Sequence, residues 1–297
     1  MTPNTRPNDE PVRLLFEMTR DDNPRLYDDL IRFNKGTKWV NRLVDSPDDI
    51  DLEVIAFDAG LEVRDRALVG CEATLIGYGD KGIVTVTTGV SPERRRFSIA
   101  HEVGHWEQHR GQCFACRVEE RARDMATKTK EREADDYASS LMMPTDLFKE
   151  AIRSSRGGVA IPAISALAAT FNASFPAAAI RYVELSGEPV VLVFNGTDTH
   201  RGRRWSSRPK RMPEHLWLGR ALDNDSYASD LLSAPTTTKR VGKMPAEAWF
   251  ESVDHDRYEV QEHSVRFAEG IYTLLHLTDE ELLVERMSAK RGWSNAK

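Results

Sequence analysis

The sequence predicts an α+β fold, with a mainly helical N-terminal part built around a small sheet and a smaller α+β unit at the C-terminal end. Three observations predict it. Short runs rich in Val, Thr and Ile, punctuated by glycine, fill about residues 61–88. Helical patterns follow from Ser91 to about residue 185. At Gly187 the composition changes again, and GEPVVLVFN, YEVQEHSVRF and GIYTLLHL read as strands.

Residues 1–47 read as an extension. Its first eleven residues are polar and carry three prolines, the signature of disorder. A mixed amphipathic helix with Leu26, Leu30, Phe33 and Val40 covers about 24–45. Asp48 or Asp49 caps a helix whose apolar positions Ile50, Val54, Ile55 and Ala59 keep the 3.6-residue period until Gly60 stops it. Strands are expected near 61–64, 68–76 and 82–88. Ser91-Pro92-Glu93 then opens a helix. The Ser hydroxyl can accept from first-turn N–H groups, Pro fits the first helical position, and Glu suits the positive end of the dipole. This helix should run to about His109. A second spans about 117–142 and ends before Pro144, and alanine-rich helices follow at about 145–154 and 161–185, interrupted by Gly157-Gly158 and Pro176.

With 297 residues the chain has room for about two domains. Lys and Arg total 41 against 47 Asp and Glu, a net charge of −6, which argues against a dedicated whole-surface binder of nucleic acid or membrane. The most apolar long window, 161–180, is broken by Pro162, Asn172, Ser174 and Pro176 and is too weak for a membrane span. Three cysteines argue against a disulfide framework. The expectation is a cytoplasmic protein without a membrane partner.

His101-Glu102-Val103-Gly104-His105 lies inside the helix opened by Ser91. Residues four apart are offset by about 40° around a helix and about 6 Å along it, so both imidazoles face one side and can share one metal ion. Glu102, offset by about 100°, can reach a water on that ion. Two neutral nitrogen ligands and a carboxylate base make up the zinc-protease motif. A catalytic zinc usually takes a third protein ligand. Glu131-Arg132-Glu133-Ala134-Asp135, on the next helix, can supply it. Glu131 and Glu133 point about 200° apart, so only one of them can bind. Glu131 is favoured, because Asp135 shares its face and can accept a hydrogen bond from a ligand histidine.

HEVGH followed by EREADDYASSLMMP resembles the ImmA/IrrE family of zinc metalloendopeptidases over about residues 48–185. The resemblance implies a zincin-like, gluzincin-type site with His101, His105 and Glu131 as ligands of one catalytic Zn2+ and Glu102 as general base. It implies site-specific cleavage of a regulatory protein, typically a helix-turn-helix transcriptional repressor, in a stress or mobile-element response. The corresponding division is an extension at 1–47, a zinc protease domain at 48–150, a helix-turn-helix-like segment at 151–187, and a C-terminal α+β domain at 188–297 with a sensory or partner-binding role. The competing reading is a metal-containing binding or sensing module without significant proteolysis. Tyr78, Tyr137 and Tyr182 are candidates for an oxyanion donor, and no spacing chooses among them.

Other features carry weaker signals. Cys71, His109, Cys113 and Cys116 can be assembled into a second, structural zinc site or a redox pair, against the commoner reading of incidental thiols. Arg201, Arg203, Arg204, Arg208, Lys210 and Arg211 form a basic stretch. Such a stretch can contact nucleic acid or an acidic partner, and is more commonly a solvated loop. Arg94, Arg95 and Arg96 precede the metal helix and pose the same choice, with substrate contact as the functional option.

Overall fold

Local capping decides where the first elements begin in the computed structural model. It describes residues 44–109, 114–117, 125–155, 157–196, 203–209, 212–213, 216–219, 221–234, 236–251, 257–279 and 282–283, with backbone only at 114–117, 125–128 and 203–204. The helix expected at 24–45 lies outside these residues but for its last two positions. Ser46 caps a short 3-10 turn, Pro47–Asp49, and the α-helix α1 (Leu52–Asp58) begins after it. Its cap is Asp51, whose carboxylate accepts from the N–H groups of Glu53 and Val54. Neither Asp48 nor Asp49 plays that part. The buried face is Leu52, Ile55 and Ala56, while Val54 is exposed. Gly60, at φ +86°, turns the chain into the sheet.

Strands β1 (Leu61–Arg66), β2 (Cys71–Tyr78), β3 (Lys81–Thr87) and β4 (Phe114–Arg117) form a sheet in the order β1-β3-β2-β4. β1 runs parallel to β3, and β2 is antiparallel to both its neighbours. Gly79-Asp80 joins β2 to β3 as a two-residue hairpin loop, with Gly79 at the positive φ such loops require. Ser91 caps helix α2 (Pro92–Gln108), its hydroxyl accepting from the Arg94 N–H. Every residue from Ser98 to Trp106 on α2 is buried. An apolar stripe at Ile99, Ala100 and Val103 therefore understates the burial: the helix is enclosed on all sides at its centre. Trp106 docks on the sheet where Gly77 and Gly82 leave room. A Cβ on Gly77 would lie 2.3 Å from the Trp106 ring, and the indole N–H donates to the Ala59 carbonyl at 2.8 Å.

The three arginines at the start of α2 are taken up by neighbouring elements. Arg94 pairs with Glu72 on β2, and Arg95 spans Asp65 on β1 and Glu53 on α1. Arg96 donates to the Ile50 carbonyl at 3.2 Å. The hydrogen bonds that Arg95 donates to Asp65 hold its guanidinium above its already high range, against the opposing effect of burial. These pairs register α2 on the sheet, a structural use of the triplet.

Helix α3 (Met125–Met142) packs along α2, and α4 (Thr145–Ser154) follows Pro144. The helical stretch expected at 161–185 is two helices, α5 (Ile161–Thr170) and α6 (Phe175–Leu185). The break falls at Asn172, in the left-handed region at φ +47°, instead of at Pro176. Pro176 sits in the first turn of α6, where a missing N–H costs nothing, and the Ser174 hydroxyl accepts from the Ala177 N–H. No single helix among the described residues is long and apolar enough to cross a membrane.

The described residues divide into two compact units. One holds those up to Ala151 with Leu167–Ala177, and the other holds Ile152–Ala166 with Ala178 onward. Residues 151–187 contribute to both. In the second unit β5 (Val190–Gly196), β6 (Arg203–Ser207), β8 (Lys239–Pro245), β10 (Glu259–Arg266) and β11 (Gly270–His276) form an antiparallel sheet in the order β6-β5-β11-β10-β8. Two short strands, β7 (Trp217–Leu218) and β9 (Phe250–Glu251), pair separately. One core gathers Val191, Val193, Val260, Ile271 and Leu275 from the sheet with Leu231 of helix α7 (Tyr227–Ser233), Trp249 and Phe250. Within it Glu262, with no solvent exposure, accepts from the Tyr227 and Ala228 N–H groups, the Trp249 indole and the Ser264 hydroxyl. The protein is thus α+β, a helical region with a small sheet followed by an antiparallel-sheet unit.

Candidate metal centre

Helices α2 and α3 build the site together. His101 and His105 stand one turn apart on α2, and both are buried. Their rings meet edge to face with centroids 4.6 Å apart, which brings the two Nε2 atoms to 3.0 Å. Glu131 of α3 straddles them, with one carboxylate oxygen 3.5 Å from His101 Nε2 and the other 3.5 Å from His105 Nε2. Ligands about 2.0–2.1 Å from a tetrahedral ion are about 3.3 Å from one another. The three separations bracket that edge length, so His101, His105 and Glu131 form a group able to hold a metal ion, as their ligand atoms all lie within 4.8 Å.

Close packing brings α3 near enough. Gly104 lies against α3, where a Cβ would meet the Ala134 carbonyl oxygen at 3.1 Å and the Ala134 Cα at 3.2 Å. Any larger residue would hold the helices apart. Tyr137 packs at the same place, its Cβ 3.2 Å from that position, and burial raises its phenol above the ordinary range. Tyr78 is almost fully exposed on β2, and Tyr182 belongs to α6.

The electrostatics suit a cation. Burial pushes His105 below the ordinary imidazole range, with Glu131 only partly opposing it, which favours the neutral ring that a metal ion needs. Burial alone would raise the Glu131 carboxyl, but the hydrogen bonds and charge of His101 and His105 outweigh it and hold the group well below the usual range. Glu102, adjacent to His101, has no solvent exposure.

The remaining acidic residues of the EREAD segment serve the histidines from behind. Asp135 Oδ1 lies 2.9 Å from His101 Nδ1. Glu133 does not join the metal group. It meets His109, whose Nε2 is 2.8 Å from Glu133 Oε2, and the other ring nitrogen of His109 is 3.1 Å from His105 Nδ1. The sequence held a signal for this link. His109 follows His105 at the same four-residue spacing that joins His105 to His101.

Over residues 49–182 the chain matches the peptidase family model described as the IrrE N-terminal-like domain. This segment belongs to that family. The matched range of the IrrE-like domain contains the whole His101, His105 and Glu131 group. No curated protein matches the chain. Among solved structures, a Mycobacterium tuberculosis transcriptional regulator is similar, with a TM-score of 0.55 over 92% of this chain and 84% of that one. At 15% identity this likeness is one of fold.

Cys71 is not part of the metal group. Cys71 is a free thiol on β2, half-buried. The side chains of Cys113 and Cys116 lie outside the described residues. Of the basic stretch, Arg208 donates to the Leu216 carbonyl at 3.5 Å. Arg203 and Arg204 have their backbones in β6, and Arg201, Lys210 and Arg211 lie outside the described residues.

Proposed function

We propose that the protein is a zinc-dependent, site-specific endopeptidase that acts on a regulatory protein in the cytoplasm. The observation that carries this reading is the convergence of His101, His105 and Glu131, at tetrahedral spacing, inside a peptidase-family domain. The arrangement is of gluzincin type, with two histidines from one helix and a glutamate from the next. His101, His105 and Glu131 would hold the ion, and Asp135 fixes the His101 ring by accepting its Nδ1–H. A zinc ion held there supplies Lewis-acid polarisation of the scissile carbonyl and acidifies water. Glu102 takes a proton from the attacking water and delivers it to the leaving amine nitrogen.

The substrate we favour is a helix-turn-helix transcriptional repressor, whose cleavage would release genes of a stress or mobile-element response. Membership of the IrrE-like family and the fold likeness to a transcriptional regulator support a regulatory role. That likeness also favours the second reading, a metal-containing sensing module that binds its partner without cutting it. Residues 151–187 would then serve as a helix-turn-helix-like segment, and the antiparallel-sheet unit as the sensory or partner-binding part.

Incubating the zinc-loaded chain with the helix-turn-helix protein encoded beside it tests both. A discrete product, absent with Glu102→Gln, supports the peptidase. General acid–base catalysis is worth about 10²- to 10⁴-fold, so that variant should lose at least this much while keeping its zinc. Cleavage at the wild-type rate by Glu102→Gln would overturn the mechanism, and stoichiometric binding without cleavage would favour the sensing module.

A further inference from the structure

We propose that His109 and Glu133 are a positioning relay that holds His105 in its metal-binding form, acting through a chain of hydrogen bonds that runs away from the ion. The proposal rests on the reading of His101, His105 and Glu131 as a metal centre.

With His105 ligating through Nε2 and Glu133 ionised, these contacts require one arrangement of hydrogens. His105 turns Nε2 toward His101 and Glu131, so a ligating His105 carries its hydrogen on Nδ1. That hydrogen points at His109 Nδ1, 3.1 Å away, which must then accept. The hydrogen of a neutral His109 therefore sits on Nε2, where it meets Glu133 Oε2 at 2.8 Å. An ionised carboxylate only accepts, so Glu133 selects the tautomer of His109, and His109 selects that of His105. The reverse order would move the hydrogen of His105 to Nε2 and remove the ligand.

Burial gives the relay its weight. The side chain of His105 has no exposure and that of His109 has 7%, so an Nδ1–H left without an acceptor there would have no water to turn to. Glu133 is half exposed, which keeps its charge solvated while it fixes the buried pair. The three acidic residues of EREAD then divide the work. Glu131 faces the ion, Asp135 anchors His101 directly, and Glu133 anchors His105 through an imidazole. Outer partners of ligating histidines typically carry about 10- to 100-fold in metal affinity.

The test uses the full chain loaded with zinc. Long-range ¹H–¹⁵N correlation spectra should show His105 as the Nδ1–H form and His109 as the Nε2–H form. Competition against a chromophoric chelator should find zinc bound about 10- to 100-fold more weakly in His109→Leu. His109→Gln, whose amide oxygen can accept from His105, should recover part of that loss. Glu133→Ala alters a half-exposed side chain and spares the fold. It should weaken zinc by a smaller factor than His109→Leu and leave His109 in mixed tautomers. Wild-type affinity in both His109→Leu and Glu133→Ala, or an Nδ1–H His109 in the loaded wild type, overturns the relay. Failure of the peptidase reading would look different: these affinities and tautomers would hold with no cleavage of any partner. A wild-type chain that takes up no divalent ion would overturn both.

Discussion

Replacing Gly104 by alanine should separate metal binding from folding. The added methyl would lie 3.1 Å from the Ala134 carbonyl oxygen and 3.2 Å from both the Ala134 Cα and the Tyr137 Cβ. Carbon contacts are comfortable at about 3.5–4.0 Å, so α2 and α3 must part by roughly half an ångström. Ala134 is fully buried, and two of the three contacted atoms are backbone, so no side-chain rotation relieves the contact. Glu131 lies one turn before Ala134 on the same helix and moves with it. Metal sites tolerate about 0.2 Å in ligand distance, so the zinc affinity should fall about tenfold or more. Folding of the metal-free chain is affected less. Overpacking costs about 1–3 kcal/mol, but alanine in place of a helical glycine returns about 1 kcal/mol. Thermal melts with and without buffered zinc separate the two effects. A tenfold weaker site removes about 1.4 kcal/mol of zinc-dependent stabilisation at saturating zinc. Undiminished zinc affinity in Gly104→Ala would refute the idea that this contact sets the α2–α3 spacing.

Three further outcomes follow from the same geometry. Asp135→Ala removes a half-exposed side chain, so the melting of the metal-free chain should hardly change while zinc binds about 10- to 100-fold more weakly in a chelator competition. Gly77→Ala drives a methyl into the buried Trp106 ring and should cost about 1–3 kcal/mol, read as a lower urea midpoint without metal. His263 and His276 occupy one face of β10 and β11, and burial holds both below the ordinary imidazole range despite Glu188 near His276. Their stabilising contribution is complete above about pH 6.5 and is lost as the pH falls through their folded values, by at most about 1.4 kcal/mol per pH unit for each ring. The urea midpoint of the wild type should therefore drop faster than that of His263→Gln/His276→Gln between pH 7.5 and 5.5, and parallel curves would contradict the assignment.

Features governed by neighbours in the chain were legible in the sequence. Ser91-Pro92 opens α2 because a hydroxyl three residues from an N–H needs no other part of the fold. The strands at 61–88 follow from β-branched runs between glycines. Features governed by distant partners were not legible. β4 is four residues long and is a strand because β2 lies beside it, whereas local pattern left that stretch without a strand. Asp48, Asp49 and Asp51 are equivalent caps by chemistry, and the burial of Ile50 and Leu52 chooses Asp51. At the site, helical spacing alone placed His101 beside His105 and separated Glu131 from Glu133. The four-residue step from His105 to His109 hinted at a third histidine on that face, but which acidic residue of the next helix would meet it depends on how α2 and α3 pack. The role of Gly104 was equally hidden, since a glycine inside a helix pattern carries no mark of the backbone pressed against it.

Glu262 bears on how the antiparallel-sheet unit moves. Helix α7 has seven residues, too few to persist in water by itself. Its first two N–H groups end on a carboxylate that belongs to β10, and the same carboxylate holds the Trp249 indole. The helix therefore cannot unwind from its start without taking hydrogen bonds from a fully buried carboxyl that also holds the tryptophan. Gradual fraying is closed to it. The amide hydrogens of Tyr227 and Ala228 should exchange at the rate of the central strands, because the start of the helix and the Trp249 indole let go of one carboxyl together.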